Sequence, residues 1–285
     1  MTRLQKSNTD PTALTNDEIV GTLLIESGAS ERLPTDERKV LSFLGLQQLS
    51  FDFMNELDFV DADTTPKKDL RAALSLKDKL VAVQSNLGNK RSRFSVLHEI
   101  AHFVLPDHRD KIFLDNDETL SWATKARLER EANQLAADLL FQGTRFASEA
   151  IQCPLSWQTV MQLAPNYGAS YEAAGRRFTE THVLPCALLV YDKFTKTNDV
   201  DFEEDVYRLQ YTITSDPFRK NFFRNLQATP NRFPTSELYK PKYWGETTEG
   251  KLIVNADDGS KSQFETEVFS NGYKIFQFVR QAQCK

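Results

Sequence analysis

His98-Glu99-Ile100-Ala101-His102 constrains this chain more than any other stretch. On a helix, an i, i+4 step leaves two side chains within roughly 40° of each other on one face. Two imidazoles then stand side by side, and their ring nitrogens can reach one metal ion. Glu99 is turned about 100° from His98; it is poorly placed as a further ligand but well placed to hold a water at the metal and take its proton. The pentapeptide has the H-E-x-x-H form of a zinc hydrolase with Glu99 as base. Its surroundings predict a helix: Phe94, Leu97, Ala101, Val104 and Leu105 recur at helical spacing and Pro106 ends the run. Val96, Ile100 and Phe103 make that helix apolar nearly all round, hence buried. The chain has four histidines, and two of them fall at this spacing. The plainer alternative is a pair of core histidines bonded to backbone carbonyls, with Glu99 on a polar edge.

A catalytic zinc takes three protein ligands and keeps one position for water, so the pair needs a partner. His108, six residues after His102, occupies the third-histidine position of the pattern H-E-x-x-H-x-x-G-x-x-H. The glycine of that pattern is replaced by Leu105, which takes up positive φ only at a steric cost. His108 accordingly reads as an exposed loop residue. The other source is a carboxylate on the helix predicted over residues 125–140, whose apolar face runs through Leu128, Ala132, Leu135, Ala136 and Leu139. Its alanines permit close approach to the histidine helix. Glu129 and Glu131 lie on opposite edges of that face, and periodicity does not choose between them.

The stretch from Arg91 through Phe94 and Leu97 into the pentapeptide, followed by Glu129-Arg130-Glu131-Ala132-Asn133-Gln134-Leu135-Ala136-Ala137-Asp138-Leu139-Leu140, resembles the ImmA/IrrE family of metallopeptidases. Two separated motifs in the right order make the match specific. Gln142, near the place of a frequent proline, and Leu135, for a frequent phenylalanine, depart from the pattern without removing a ligand. The resemblance implies that Glu131, directly before Ala132-Asn133, completes a metal site with His98 and His102. It implies Zn2+ as the metal, with Mn2+ as an alternative, and Glu99 as the catalytic base of an endopeptidase. It further implies limited cleavage of a cytoplasmic protein, a helix-turn-helix transcriptional repressor, in a stress or mobile-element response. Tyr167 and His182 are candidate oxyanion donors, although nothing in the sequence places them near the metal. A competing reading is a non-catalytic regulatory or DNA-binding protein with a structural metal site and a ligand-sensing C-terminal domain. Glu99 speaks against it, because a structural zinc needs no base beside it.

The expected fold class is α+β. A flexible N-terminus (1–15) precedes a minimal zincin-like peptidase core (16–150) with a small sheet and the active-site helices. Residues 18–26 and 40–49 read as helices and 51–59 as a strand; Lys79–Asn86 is a β-branched strand that in zincins lies over the active-site helix and can pair with extended substrate. Residues 151–183 have helix-turn-helix rhythm, with a first helix closing at Leu163-Ala164, a turn at Tyr167-Gly168 and Ser170 as N-cap of the second. Arg176 and Arg177 on that helix are suitably basic for DNA, but the net charge of −5 and a pI near 5.5 disfavour it. Residues 184–285 read as a separate α+β domain, GAF-like by the same resemblance. Strands are expected at 188–191, 251–255, 263–269 and 273–279, the last two joined at Asn271-Gly272, with 192–205 a polar segment and 217–238 an ordered loop.

A chain of 285 residues, 40% hydrophobic and 26% charged, is an ordinary globular protein of two or three domains. No signal peptide or membrane-spanning run is visible, so a membrane partner is not expected. Cys153, Cys186 and Cys284 are odd in number and scattered, which fits reduced thiols in the cytoplasm.

Overall fold

The computed structural model describes residues 14–56, 70–108, 122–196, 204–226, 232–234 and 246–281. By backbone contacts the chain divides into two compact units, residues 1–145 with 166–169, and residues 146–165 with 170–285. The fold is α+β, with a small sheet and several helices in the first unit and a separate antiparallel sheet in the second.

The first unit opens with α1 (Asn16–Glu26), started by a capping box in which Thr15 and Glu18 satisfy each other's amides. α2 (Glu37–Leu44) is capped by Asp36 and stopped by Gly45, whose φ of 69° ends the helix five residues sooner than the expected run to residue 49. Strand β1 follows at Gln47–Phe51, beginning on residues expected as the end of that helix, and shares only Phe51 with the strand expected at 51–59. Gln84 Oε1 accepts the Phe53 amide at 2.8 Å and Asp52 Oδ1 the Asn55 amide at 3.3 Å, and the chain turns into a short helix, α3 (Phe53–Glu56). Residues 57–59 of the expected strand lie outside the described residues. β2 (Ala72–Ser75) and β3 (Leu80–Gln84) complete a sheet of order β1-β3-β2, parallel between β1 and β3 and antiparallel between β3 and β2. β3, the strand expected to receive substrate, is therefore central with both edges paired. Among the described residues, the open edges belong to β1 and β2.

α4 (Asn89–Val104) packs on β2 and β3 with one side and on α5 (Trp122–Leu140) with another. Leu97, Ile100 and Ala101 on α4 and Ala132, Leu135, Ala136 and Leu139 on α5 are fully enclosed, with the alanines letting the two backbones approach. The buried Thr35 hydroxyl closes the end of α5 by donating to the Leu139 carbonyl at 2.8 Å. Arg93, in the first half of α4, is bound to the Thr35 carbonyl at 2.7 Å and to Glu37 at 3.1 Å, which ties the histidine helix to α2.

The second unit comprises α6 (Arg145–Ile151, all but its first residue), α7 (Trp157–Asn166), α8 (Tyr171–Thr181), strands β4 (Cys186–Lys196) and β5 (Glu204–Thr214), α9 (Asp216–Leu226), then β6 (Arg232–Pro234), β7 (Thr247–Asn255), β8 (Lys261–Ser270) and β9 (Lys274–Gln281). Residues 166–169, the last residue of α7 and the turn after it, belong to the first unit. The antiparallel sheet has the order β6-β5-β4-β9-β8-β7. Residues alternate across it: Ala187, Leu189, Phe264, Ile275 and Val279 meet Phe218 and Phe222 of α9 on one face, while Phe269, Phe276 and Phe278 meet Trp157 of α7 on the other. The segment expected as a loop from 217 begins instead as α9, with Ser215 as its cap and Pro217 in the first turn, where a missing N–H costs nothing. The polar segment 192–205 extends β4 to Lys196 and opens β5 at Glu204; residues 197–203 lie outside the described residues. Asn271 Oδ1 accepts the amides of Tyr273 and Lys274, and Gly272 at φ 84° completes the β8–β9 turn as the sequence implied.

Candidate metal centre

α4 carries His98, Glu99 and His102 because its N-terminus is set on Gly88, whose carbonyl accepts the Arg91 and Ser92 amides. Its C-terminus is set by Leu105, held extended at φ −72° and ψ 118° by the proline that follows. The helical phase brings His98 Nε2 to 3.1 Å from His102 Nε2. From α5, Glu129 closes the triangle: Oε2 lies 3.3 Å from His98 Nε2 and Oε1 3.4 Å from His102 Nε2. Three ligands on a tetrahedral ion at about 2.0–2.1 Å stand roughly 3.3–3.4 Å apart, so these donors fit a small divalent cation.

The hydrogen bonds of His102 and His98 hold the Glu129 carboxyl well below the usual carboxylate range, against the effect of its partial burial. His98 loses affinity for a proton through burial, but its bond to Glu129 and the nearby charge of Glu99 more than restore it, so its pKa is raised. Glu99 is 9% exposed. Burial raises its pKa most, Glu129 adds to the rise, and His98 and His102 oppose it. A carboxyl so placed takes a proton more readily than one in water.

Glu131, which the family resemblance put in the ligand set, is not at the histidine pair. Two residues further on a helix is a turn of about 200°, and this carries its carboxylate to another side of the helix. There Oε1 accepts from Arg127 Nη1 at 2.7 Å and Oε2 lies 3.1 Å from His108 Nε2. His108 is not an exposed loop residue either; it is fully buried. Residues 106–108 form one more helical turn after Leu105, with the His108 amide on the Leu105 carbonyl at 3.1 Å. His108 Nδ1 thereby comes to 2.9 Å from His102 Nδ1. Burial lowers the His108 pKa, against the pull of Glu131. The signal in the sequence was the Leu105-Pro106 step, which redirects the chain without glycine.

Of the two oxyanion candidates, Tyr167 belongs to the first unit and His182 to the second. Tyr167 is fully buried with its ring 5.8 Å from that of Phe141, and Phe141 lies twelve residues past Glu129, about 18 Å along the helix axis. His182 belongs to the second unit, where Nδ1 accepts the Leu184 amide at 3.0 Å, the ring packs on Phe178, and burial lowers its pKa. Of the cysteines, Cys153 and Cys186 are free thiols, and burial pushes Cys186 up to about 12; Cys284 lies outside the described residues.

Two histidines one turn apart, a buried carboxyl between them in sequence and an acidic donor from a second helix are the parts that a metal-dependent hydrolase uses, and the histidines and the acidic donor could hold an ion here. Residues 55–179 match the model of peptidase family M78, described as an IrrE N-terminal-like domain, and this match supports a metallopeptidase of the ImmA/IrrE type. Among solved structures, the chain is similar to a Mycobacterium tuberculosis transcriptional regulator, with a TM-score of 0.53 and 13% identity over 93% of this chain and 87% of that one. At that identity the likeness is one of fold. No curated protein matches the chain in sequence. No helix among the described residues is long and apolar enough to cross a membrane.

Proposed function

We propose that the protein is a zinc-dependent endopeptidase that acts in the cytoplasm by limited proteolysis of a helix-turn-helix transcriptional repressor, in a stress or mobile-element response. The observation that carries the peptidase reading is the triangle of His98, His102 and Glu129 with Glu99 buried beside it. Those three residues hold the ion, and Glu129 takes the ligand role first expected of Glu131. Zinc there supplies Lewis acidity toward a peptide carbonyl and makes water acidic enough to react at neutral pH. Glu99 accepts the proton of the attacking water and returns it to the departing amine nitrogen. Its raised pKa suits both transfers.

The substrate main chain pairs along β2, an edge strand of the small sheet against which α4 packs. The repressor and the stress response rest on kinship within the family, since the site chemistry alone names only a peptide bond. The second unit serves as the sensory domain. Direct DNA reading by α7 and α8 is disfavoured: Ala174, Gly175, Phe178 and Thr179 are buried in that unit, and Arg176 is tied to Glu180 at 2.8 Å.

The test is Glu99→Gln. The variant should retain stoichiometric zinc while cleavage of the repressor in cells is lost. Repressor loss that persists in this variant overturns the peptidase reading.

A further inference from the structure

His102 is backed by a second histidine. His98 Nδ1 is buried and has no hydrogen-bond partner among the described residues. His102 Nδ1 faces His108 Nδ1 at 2.9 Å; His108 Nε2 faces Glu131 Oε2 at 3.1 Å; and Glu131 Oε1 accepts from Arg127 Nη1 at 2.7 Å. Arg127 is placed in turn by Asp107, 3.7 Å away.

With both rings neutral and an ion at His102 Nε2, the line has one consistent proton arrangement. A carboxylate is acceptor only, so Glu131 requires the proton of His108 on Nε2. That leaves His108 Nδ1 as a bare acceptor, and the single proton between the two Nδ1 atoms then belongs to His102. With its proton on Nδ1, His102 turns a bare Nε2 toward His98 and Glu129, which is the form a metal ligand needs. We propose that His108 and Glu131 are positioning residues: with Arg127 they form a relay that locks the tautomer and ring orientation of His102 and so raises the metal affinity of the centre. This rests on the assignment of His98, His102 and Glu129 as the ligands.

Outer partners of this kind are worth about 10- to 100-fold in metal affinity. The test is zinc affinity of the full chain by competition with a chelating dye, with folding checked by far-ultraviolet circular dichroism without metal. His108→Leu fills the buried site but neither accepts nor donates, and should bind zinc about 10- to 100-fold more weakly. His108→Gln supplies both an acceptor for His102 and a donor for Glu131, and should recover most of that loss. If His108→Leu does not fold, Glu131→Leu at its half-exposed position decides, with a loss of about tenfold expected. Nitrogen-15 imidazole spectra give an independent reading: the His102 proton on Nδ1 and the His108 proton on Nε2. Unchanged affinity in both leucine variants, a glutamine variant no better than leucine, or a His108 proton on Nδ1 overturns the relay. A wild-type protein that binds no zinc overturns the ligand assignment instead, and the His108 tautomer of the metal-free protein, with its proton on Nε2 or on Nδ1, then decides the relay.

Discussion

Glu129 Oε2 stands 3.3 Å from His98 Nε2 across the seam of α4 and α5, and that relationship separates the two acidic residues that the helix period left equivalent. If Glu129 is the third ligand, Glu129→Ala should lose stoichiometric metal, while Glu131→Ala, measured with zinc in excess, should keep it. Inductively coupled plasma analysis of the two purified variants decides the matter. Metal lost from Glu131→Ala alone would return the ligand role to that residue.

The histidine pair was legible because i, i+4 spacing has one geometric meaning on a helix, whatever packs around it. The choice between Glu129 and Glu131 was not, because both border the apolar stripe of α5 and the crossing with α4 decides which border faces the histidines. His108 was misread for a related reason. Pro106 does end α4, but the chain resumes a helical turn immediately, and whether such a turn points out or back depends on tertiary packing. In the small sheet, Lys79–Asn86 was recognisable by its β-branched residues, yet its central position follows from β1 joining it in parallel, which no local pattern records. The α7–turn–α8 unit was read closely because Gly168 and Ser170 act locally, one through its φ of 62° and the other through its hydroxyl on the Ala173 amide.

Gly175 in α8 should resist substitution. Alanine in a helix interior normally stabilises by about 1 kcal/mol over glycine. Here a Cβ would meet Trp157 Cη2 at 2.9 Å and Leu188 Cδ2 at 3.4 Å. Trp157 has little room to retreat, with the rings of Phe269 and Phe276 centred 5.0 Å and 5.4 Å away. Gly175→Ala should therefore lose about 1–3 kcal/mol, read as a lower urea midpoint by tryptophan fluorescence. A midpoint at or above wild type would show that the aromatic cluster yields.

His182 should make the second unit less stable in mild acid. Its pKa in the fold lies below the ordinary 6.5 because of burial, so as pH falls through that value the unfolded chain takes up a proton before the folded one does. Stability then falls with pH from about 6.5 and levels off once the folded form is protonated too. His182→Asn keeps an acceptor for the Leu184 amide and removes the titration. Urea midpoints at about pH 7.5 and 5.5 should differ less in the variant than in wild type. An equal difference in both would assign the acid sensitivity to other groups.

Glu267 and Arg280 form the buried ion pair that anchors α7 to the sheet. Glu267 Oε2 accepts the Trp157 amide at 2.9 Å and lies 3.4 Å from Arg280 Nη1, which also donates to the Leu155 carbonyl at 2.6 Å. Arg280→Met leaves a buried carboxylate with a neutral donor in place of its cation, and removing one partner of such a pair costs about 3–5 kcal/mol. The exposed edge of this pair, where Arg280 also meets the half-exposed Glu265 at 3.1 Å, puts the expected loss at the low end, about 3 kcal/mol. Glu267→Met alone also removes the acceptor of the Trp157 amide. The double variant should lose less than the sum of the two singles, because no charge is then left buried alone. A double-mutant cycle by urea unfolding gives the coupling directly. Additive losses would mean that Glu267 is held by the Trp157 amide and that Arg280 serves mainly the Leu155 carbonyl.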